Sequence, residues 1–295
     1  MLEKIKARLP GGEYFQNLMS VLKDLFKGRF TLKDRYFLET FFIGNNHTIT
    51  TIFNIFLEQD KERIYLNLKG ILITFLDNNT MVKSAFIGQF FDFIYPYLYN
   101  DYSNKNGEGP YLYHQVQIQK GDIVIDAGAN IGMFSALASH LGGIVYAFEP
   151  VKEIREKYLE KTAQLNPNIN IVPLALSNKN GEVEIEVNLT NIGGSSIVLS
   201  RKDSVKEIVK TITLDDWVKQ NNIPRIDFIK ADIEGAERLM LEGAQWVLKT
   251  YAPKLAICTY HLPDDKEVLT NLILRANPDY KIEYAWKKLY AWIEK

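Results

Sequence analysis

From about Gly121 onward, short apolar runs alternate with stretches whose apolar positions recur at helical spacing. Asp122–Asp126 is rich in β-branched residues and predicts a strand, Met133–Leu141 a helix and Ile144–Phe148 a second strand. Val151, Ile154, Tyr158, Leu159 and Leu165 then line one side of a charged stretch, as in a surface helix. Asn170–Leu176 predicts a third strand and Ile226–Ala231 another. A helix from about Glu234 to Leu248 follows, with Leu239, Met240, Ala244 and Val247 inward. Leu255–Tyr260 predicts a strand, Lys266–Ala276 a helix, and Tyr280–Trp286 with Leu289–Ile293 a terminal hairpin. This alternation implies an α/β fold, a mostly parallel sheet with helices on both faces. The hairpin would add an antiparallel edge.

Between Ser177 and Thr213 the rhythm changes. Asn180-Gly181 is a turn signal, and Glu182–Val187 alternates charged and apolar residues as a half-exposed strand does. Ser195–Leu199 and Val209–Ile212 predict further short strands, with a glycine loop, Asn191 to Ser196, at the tip of a β-rich insertion. Thr213 followed by Leu214-Asp215-Asp216 predicts a helix start with a hydroxyl cap and an acidic first turn. Earlier in the chain, Tyr14–Phe26 has an amphipathic helical pattern. Arg63–Phe75 reads as a hairpin around Lys69-Gly70, Phe86–Tyr97 as an aromatic helix, and Asp101–Gly109 as a polar loop.

Composition narrows the class. The chain has 295 residues, 46% hydrophobic and 24% charged, which are the proportions of a globular protein with a sizeable core. A formal charge of −1 offers no overall attraction to nucleic acid or to an anionic membrane. One cysteine, Cys258, excludes a disulfide framework and a cysteine-rich zinc site. With no apolar leader and no uncharged run near the roughly 18 residues that span a bilayer, the expectation is a cytoplasmic protein without membrane insertion.

The most informative run is VIDAGANIGMF, Val124 to Phe134. A strand ends on Asp126, a glycine turn runs from Gly128 through Ala129 and Asn130 to Gly132, and an apolar-periodic helix follows. Such a construction is expected to bring bare backbone N–H groups and a helix N-terminus against a nucleotide-like ligand. A dinucleotide fingerprint needs Gly-x-Gly-x-x-Gly. Here the glycines are four apart, with Asn130 two after Gly128. That departs from the nicotinamide pattern and fits the acidic, glycine-rich loop of S-adenosylmethionine enzymes with asparagine at the middle glycine. Asparagine is among the few residues that accept left-handed backbone. Glu149 ends the second strand, seventeen residues after Gly132, where an acid can accept both hydroxyls of an adenosine ribose. Pro150 then stops the strand and admits a helix. Ala175-Leu176, closing the third strand, are expected beside the same ligand.

These residues resemble the FkbM family of S-adenosylmethionine-dependent methyltransferases. The resemblance runs from about Gly109 to the C-terminus. It includes the approach Glu108-Gly109-Pro110-Tyr111, GDIVIDAGANIG, YAFEP, LSNKNGEVEI and above all KADIEGAE at Lys230–Glu237. It implies a class I methyltransferase (Rossmann-like) fold over residues 106–295, with S-adenosylmethionine as cofactor and a hydroxyl of a sugar, glycan or other small molecule as acceptor. Residues 1–105 carry no comparable resemblance. They read as an α-rich extension with a β-hairpin, and as the natural place for a homodimer contact.

KADIEGAE sits at the C-terminal end of a predicted strand, where ligands bind in open α/β sheets. With a helix beginning near Glu234, Glu234 and Glu237 would share a face. Glu237 is read equally as a cap and as a substrate-binding residue. His261 ends the next strand and is expected on the same rim as Asp232. Transfer to a hydroxyl needs alignment and removal of a proton. His261 or Asp232 is expected to take it, with the other orienting, and Lys230 to pair with the acids or steady an alkoxide. A divalent metal held by Asp232, Glu234 and His261 is the rival use, which the spacing does not demand. Ser195 and Ser196 in the Asn191–Ser196 loop are expected to bond acceptor hydroxyls. The competing functions are a nicotinamide-dependent reductase or epimerase, and a non-catalytic binding subunit that keeps the cofactor fold.

Overall fold

The computed structural model describes residues 57–59, 64–74, 89–100, 102, 107–187 and 205–294. The Tyr14–Phe26 helix, the Ser195–Leu199 strand and the Asn191–Ser196 loop, with Ser195 and Ser196, lie outside the described residues. By its contacts the chain separates into Met1–Leu66 and Asn67–Lys295. In the first unit, strand β1 (Leu57–Gln59) pairs antiparallel with the start of β2 (Ile64–Leu68), Leu57 opposite Leu66. Past β2, Lys69 and Gly70 take φ of 56° and 98°, the two left-handed positions of a tight hairpin turn, and lead into β3 (Ile71–Thr74).

The second unit is built on a seven-stranded sheet. Its parallel members are β4 (Ile123–Ala127), β5 (Ile144–Phe148), β6 (Ile169–Val172), β10 (Phe228–Ala231) and β11 (Lys254–Cys258). The terminal hairpin, β12 (Lys281–Ala285) and β13 (Lys288–Trp292), joins antiparallel, and the order is β12-β13-β11-β10-β4-β5-β6. β4 and β10 are buried at every position, as central parallel strands covered on both faces must be. On one face Ile123, Ile125 and Ala127 meet α4 (Leu214–Gln220), α5 (Glu237–Glu242), α6 (Gln245–Thr250) and α7 (Asp265–Ala276) in one core. On the other lie α2 (Met133–His140) and α3, spanning 152–165 with a π-wound turn at Arg155–Leu159. Before β4, Phe90–Ile94 winds as a π-helix into α1 (Tyr95–Tyr99), as the aromatic stretch predicts for its described part.

Two expectations change. The third strand is not continuous over Asn170–Leu176: Pro173, which has no N–H for the ladder, separates β6 from β7 (Ala175–Leu176). β7 instead joins a separate sheet, ordered β7-β9-β8, with β8 (Gly181–Val187) and β9 (Val205–Ile212). The single helix from Glu234 to Leu248 is two, α5 and α6. Its start is delayed because Glu234 and Gly235 take φ of 55° and 99°. Its middle is interrupted at Gly243, where a Cβ would lie 2.1 Å from the Ser177 carbonyl oxygen. The Thr213 cap forms as predicted, its hydroxyl accepting from the Asp216 N–H at 3.1 Å. No helix among the described residues is long and apolar enough to cross a membrane.

Candidate active site

β4 leads to β5 and β6 on one side, while β10 and β11 lie on the other, so the winding reverses between β4 and β10. Open α/β sheets bind ligands at the carboxyl ends of strands beside such a reversal. The loop leaving β4 has positive φ at alternate residues: Gly128 at 74°, Asn130 at 54° and Gly132 at 88°. Asn130 thus adopts the left-handed conformation expected of it. A Cβ on Gly128 would stand 2.1 Å from the Asp232 carbonyl oxygen, so the glycine lets the first loop approach the second.

The loop's N–H groups are not bare, which corrects the expected cradle. Gly128 and Ala129 donate to the Phe148 carbonyl at 3.1 and 3.0 Å, Gly132 donates to the Ala129 carbonyl at 2.9 Å, and Asn130 donates to Glu149 Oε2 at 2.9 Å. The turn offers a ligand shape rather than those amide donors, which suits one without a pyrophosphate. Beneath it lies Asp126, wholly buried, which accepts from Ser135 Oγ at 2.6 Å and pairs with Lys230 Nζ at 2.9 Å. Lys230 also donates to the Ala127 and Gly128 carbonyls at 3.1 and 2.7 Å. Burial would lower the Lys230 pKa, but Asp126 and Asp232 overcome it and hold the ammonium charged. The structure places Asp126 and Lys230 as the support of the loop.

A cleft of about 650 Å³ opens over this turn. Gly128, Asn130, Glu149, Pro150, Ala175 and Leu176 line it as expected, together with Asp232 and Glu234. Phe148, Val151, Ile154 and Ile185 supply apolar wall. Glu149 is 5% exposed and accepts one backbone N–H on each oxygen, from Asn130 and from Val151, both at 2.9 Å. Burial pushes its pKa up to about 7 against those two donors. Each carboxylate oxygen keeps a lone pair, so a vicinal diol can still donate to it. The apolar slot and the diol acceptor fit adenosine, and they are the residues that would hold it.

Asp232 leaves the end of β10 between this cleft and a second one of about 510 Å³, which shares Gly128, Asn130 and Asp232 with the first. Ala129 lines only the second. Asp232 Oδ2 accepts from the Tyr111 hydroxyl at 2.7 Å, and Oδ1 faces His261 Nε2 at 3.6 Å. His261 Nε2 also lies 3.6 Å from Glu234 Oε2, and Nδ1 lies 3.1 Å from Glu237 Oε1. His261, Asp232 and Glu234 are therefore brought together as expected. Burial alone would lower the His261 pKa, but Glu237 first, then Asp232 and Glu234, raise it to about 9. Burial would likewise raise Asp232, and Lys230, Lys288, His261 and the Tyr111 hydrogen bond bring it below its usual value. Glu237 is wholly buried at the start of its helix and accepts from the turn before it, from Ile233 N at 2.8 Å and Gly235 N at 3.0 Å. It does not share a helical face with Glu234, whose left-handed φ precedes the helix. Asp232, Glu237 and His261 each place one ligand-type atom within 4.8 Å of the others, and the protonated imidazole supplies positive charge among these acids.

Tyr111 and Lys288 were not singled out in the sequence as site residues. Lys288 is 1% exposed, donates to the Glu108 carbonyl at 2.8 Å and stands 4.4 Å from the Tyr111 ring centroid. The Gly109-Pro110-Tyr111 approach was the one local signal for Tyr111. Lys288 lies in a β-hairpin with no motif of its own.

The sheet order, the loop geometry and the nucleoside-shaped cleft define a class I S-adenosylmethionine-dependent methyltransferase fold. The methyltransferase FkbM domain model matches residues 126–283, and the chain belongs to that family. It is similar to a hexuronic acid methyltransferase, AglP, of Haloferax volcanii, 26% identical over 54% of this chain and 64% of the relative. It is also similar to 31-O-demethyl-FK506 methyltransferase FkbM of Streptomyces tacrolimicus, 26% identical over 46% of this chain and 64% of the relative. The chain thus spans less than two thirds of the length of either curated relative. A solved methyltransferase FkbM from Methylobacillus flagellatus KT aligns over 74% of this chain and 55% of its own, at 22% identity and a TM-score of 0.48.

Proposed function

We propose that this protein transfers a methyl group from S-adenosylmethionine to a hydroxyl of a sugar, glycan or glycosylated small molecule. One observation carries the reading: a half-buried, ionised carboxylate, Asp232, stands where the adenosine-fitting cleft meets a second cleft. Oxygen as the acceptor atom is supported by the relative named for an O-demethyl substrate, and a sugar by the one named for a hexuronic acid. Residues 106–295 form the catalytic domain in this reading, and 1–105 an extension available for self-association.

When bound, S-adenosylmethionine supplies an electrophilic methyl on a sulfonium and leaves as a neutral thioether, so the leaving group needs no acid. Glu149 holds the ribose, and the loop from Gly128 to Gly132 fits against it without offering the four amides that are tied up internally. Asp232 orients the acceptor hydroxyl and receives its proton. A carboxylate of lowered pKa suffices, because a hydroxyl oxygen that is gaining a bond to carbon becomes far more acidic. His261 is already protonated at neutral pH, so of the two expected bases Asp232 takes the proton and His261 steadies its charge. Tyr111 fixes the other carboxylate oxygen.

The experiment is methyl transfer from labelled S-adenosylmethionine to a panel of sugar nucleotides and glycans, with product mass as readout. Asp232→Asn should lower turnover by about 10²–10⁴-fold while S-adenosylhomocysteine affinity stays within a few-fold. Unchanged turnover in that variant would remove Asp232 from the chemistry. Stabilisation of the protein by NAD rather than by S-adenosylhomocysteine would favour the reductase reading.

A further inference from the structure

The second cleft carries several acidic side chains among its described lining residues. Its walls include Gln89, Asp92, Glu108 and Asp232, with Lys230 as the one lysine among the described lining residues. That lysine is committed to Asp126 at 2.9 Å and to two loop carbonyls. Lys288 reaches the Glu108 backbone carbonyl and the Tyr111 ring, and it does not line the cleft. Asp92 Oδ1 accepts the Glu108 N–H at 3.2 Å, whereas the Glu108 carboxylate has no hydrogen-bond partner among the described residues. Asp232 Oδ1 is buried and likewise accepts no hydrogen bond among them. Burial and the neighbouring Glu108 push the Asp92 pKa up to about 6 against the opposing pull of Lys288, the Glu108 N–H and Lys287, which still leaves it mostly ionised at neutral pH. Phe93, Tyr111 and Phe134 form an aromatic wall, with ring centroids 5.1 and 5.2 Å apart in successive pairs. Such rings offer a flat apolar face, and the carboxylates beside them accept hydroxyl or ammonium hydrogens.

We infer that the second cleft binds a polyhydroxy acceptor without negative charge, and favours one carrying an ammonium group over its uronate counterpart. This rests on the O-methyltransferase reading and deepens it. A uronate or phosphate would face the carboxylates of Asp92 and Glu108, neither of which makes an ion pair among the described residues, while Lys230 is already paired with Asp126. An amino sugar would find carboxylate acceptors at Asp92 and Glu108. Like charges placed together reject a partner strongly, and opposite charges select it. The hexuronic acid in the name of the Haloferax relative is therefore not the acceptor class of this chain.

The test measures binding by titration calorimetry to the full chain saturated with S-adenosylhomocysteine. Three methyl glycosides are used that differ at one substituent: a neutral hexoside, its 2-amino-2-deoxy analogue and its uronate. The amino glycoside should bind at least about tenfold more tightly than the uronate, with the neutral sugar between. Asp92→Asn with Glu108→Gln should compress that ratio to within about threefold while S-adenosylhomocysteine affinity is unchanged. Glu108→Gln alone, at a carboxylate without a partner, should compress it partly, which covers the case where the double variant folds poorly. Equal or tighter uronate binding would overturn the inference. So would a ratio insensitive to both variants, or binding of S-adenosylhomocysteine with none of the three glycosides. Failure of S-adenosylhomocysteine itself to bind would instead overturn the methyltransferase reading.

Discussion

The close approach of the two loops can be tested by a pair of glycine substitutions. Gly121 and Gly128 have similar left-handed φ, 87° and 74°, but different surroundings. A Cβ at Gly121 meets nothing within 4 Å, while one at Gly128 would overlap the Asp232 carbonyl oxygen at 2.1 Å. Gly121→Ala therefore isolates the backbone contribution. Left-handed backbone costs an L-residue roughly 1–2 kcal/mol, and reduced freedom of the unfolded chain returns about 0.4–1 kcal/mol. The net expectation is a loss of about 1 kcal/mol or less. Gly128→Ala carries the same backbone contribution plus overpacking, typically about 1–3 kcal/mol. The upper end applies because the opposing atom is a main-chain oxygen just past β10, in a residue whose N–H donates to the Ala127 carbonyl at 3.2 Å. Denaturant titration should then place Gly128→Ala about 2–3 kcal/mol below Gly121→Ala. The displaced carbonyl belongs to Asp232, so turnover should fall in Gly128→Ala and remain near wild type in Gly121→Ala. Equal stabilities in the two variants would refute the argument that contact with Asp232, rather than turn conformation, makes Gly128 a glycine.

Removing one partner of a buried ion pair leaves an uncompensated charge, so Lys230→Met should destabilise by about 3–5 kcal/mol in the same titration. A loss below about 1 kcal/mol would show that Asp126 does not depend on Lys230. For His261, the folded pKa of about 9 lies above the unfolded 6.5, so its stabilisation is full below 6.5 and is lost as pH rises through about 9. The wild-type denaturation midpoint should fall across that window, and His261→Gln should flatten the fall. Parallel pH curves would contradict the ion pairs drawn here. Glu149 has its pKa raised from 4.5 to about 7 by burial, and the carboxylate is the form that accepts both ribose hydroxyls. S-adenosylhomocysteine affinity should therefore rise as pH passes about 7, and Glu149→Gln should weaken binding and remove the pH dependence.

Several parts of the site were legible because they are local. Strand, glycine turn and helix follow one another within Ile123–His140, so the loop and its left-handed Asn130 could be read from residue order and backbone sterics. Glu149 was legible because a parallel unit returns each strand end to the same edge of the sheet. Asp232 and His261 share a rim for the same reason, since β10 and β11 pair in parallel. The break in the helix after Glu234 was not legible. It depends on Gly243 meeting Ser177, from a distant part of the chain, and on Glu237 turning back to bond Ile233 and Gly235. The split of the third strand carried a local signal, Pro173, that the apolar pattern overrode.

By itself the sequence determined the fold class, most of the residues that line the first cleft and the family, because periodicity, turn chemistry and strand-end position act over short stretches of chain. Only the tertiary structure decided what those residues do with one another. It turned Lys230 and Asp126 into the support of the loop, and made Glu237 the acceptor for the turn before its helix and a counter-ion for His261. It also raised the His261 pKa to about 9 and set Tyr111 on the Asp232 carboxylate from 121 positions away in the chain. Charge states and hydrogen-bond partners are set by neighbours in space and by burial, and neither can be computed from residue order before the sheet has gathered its strand ends.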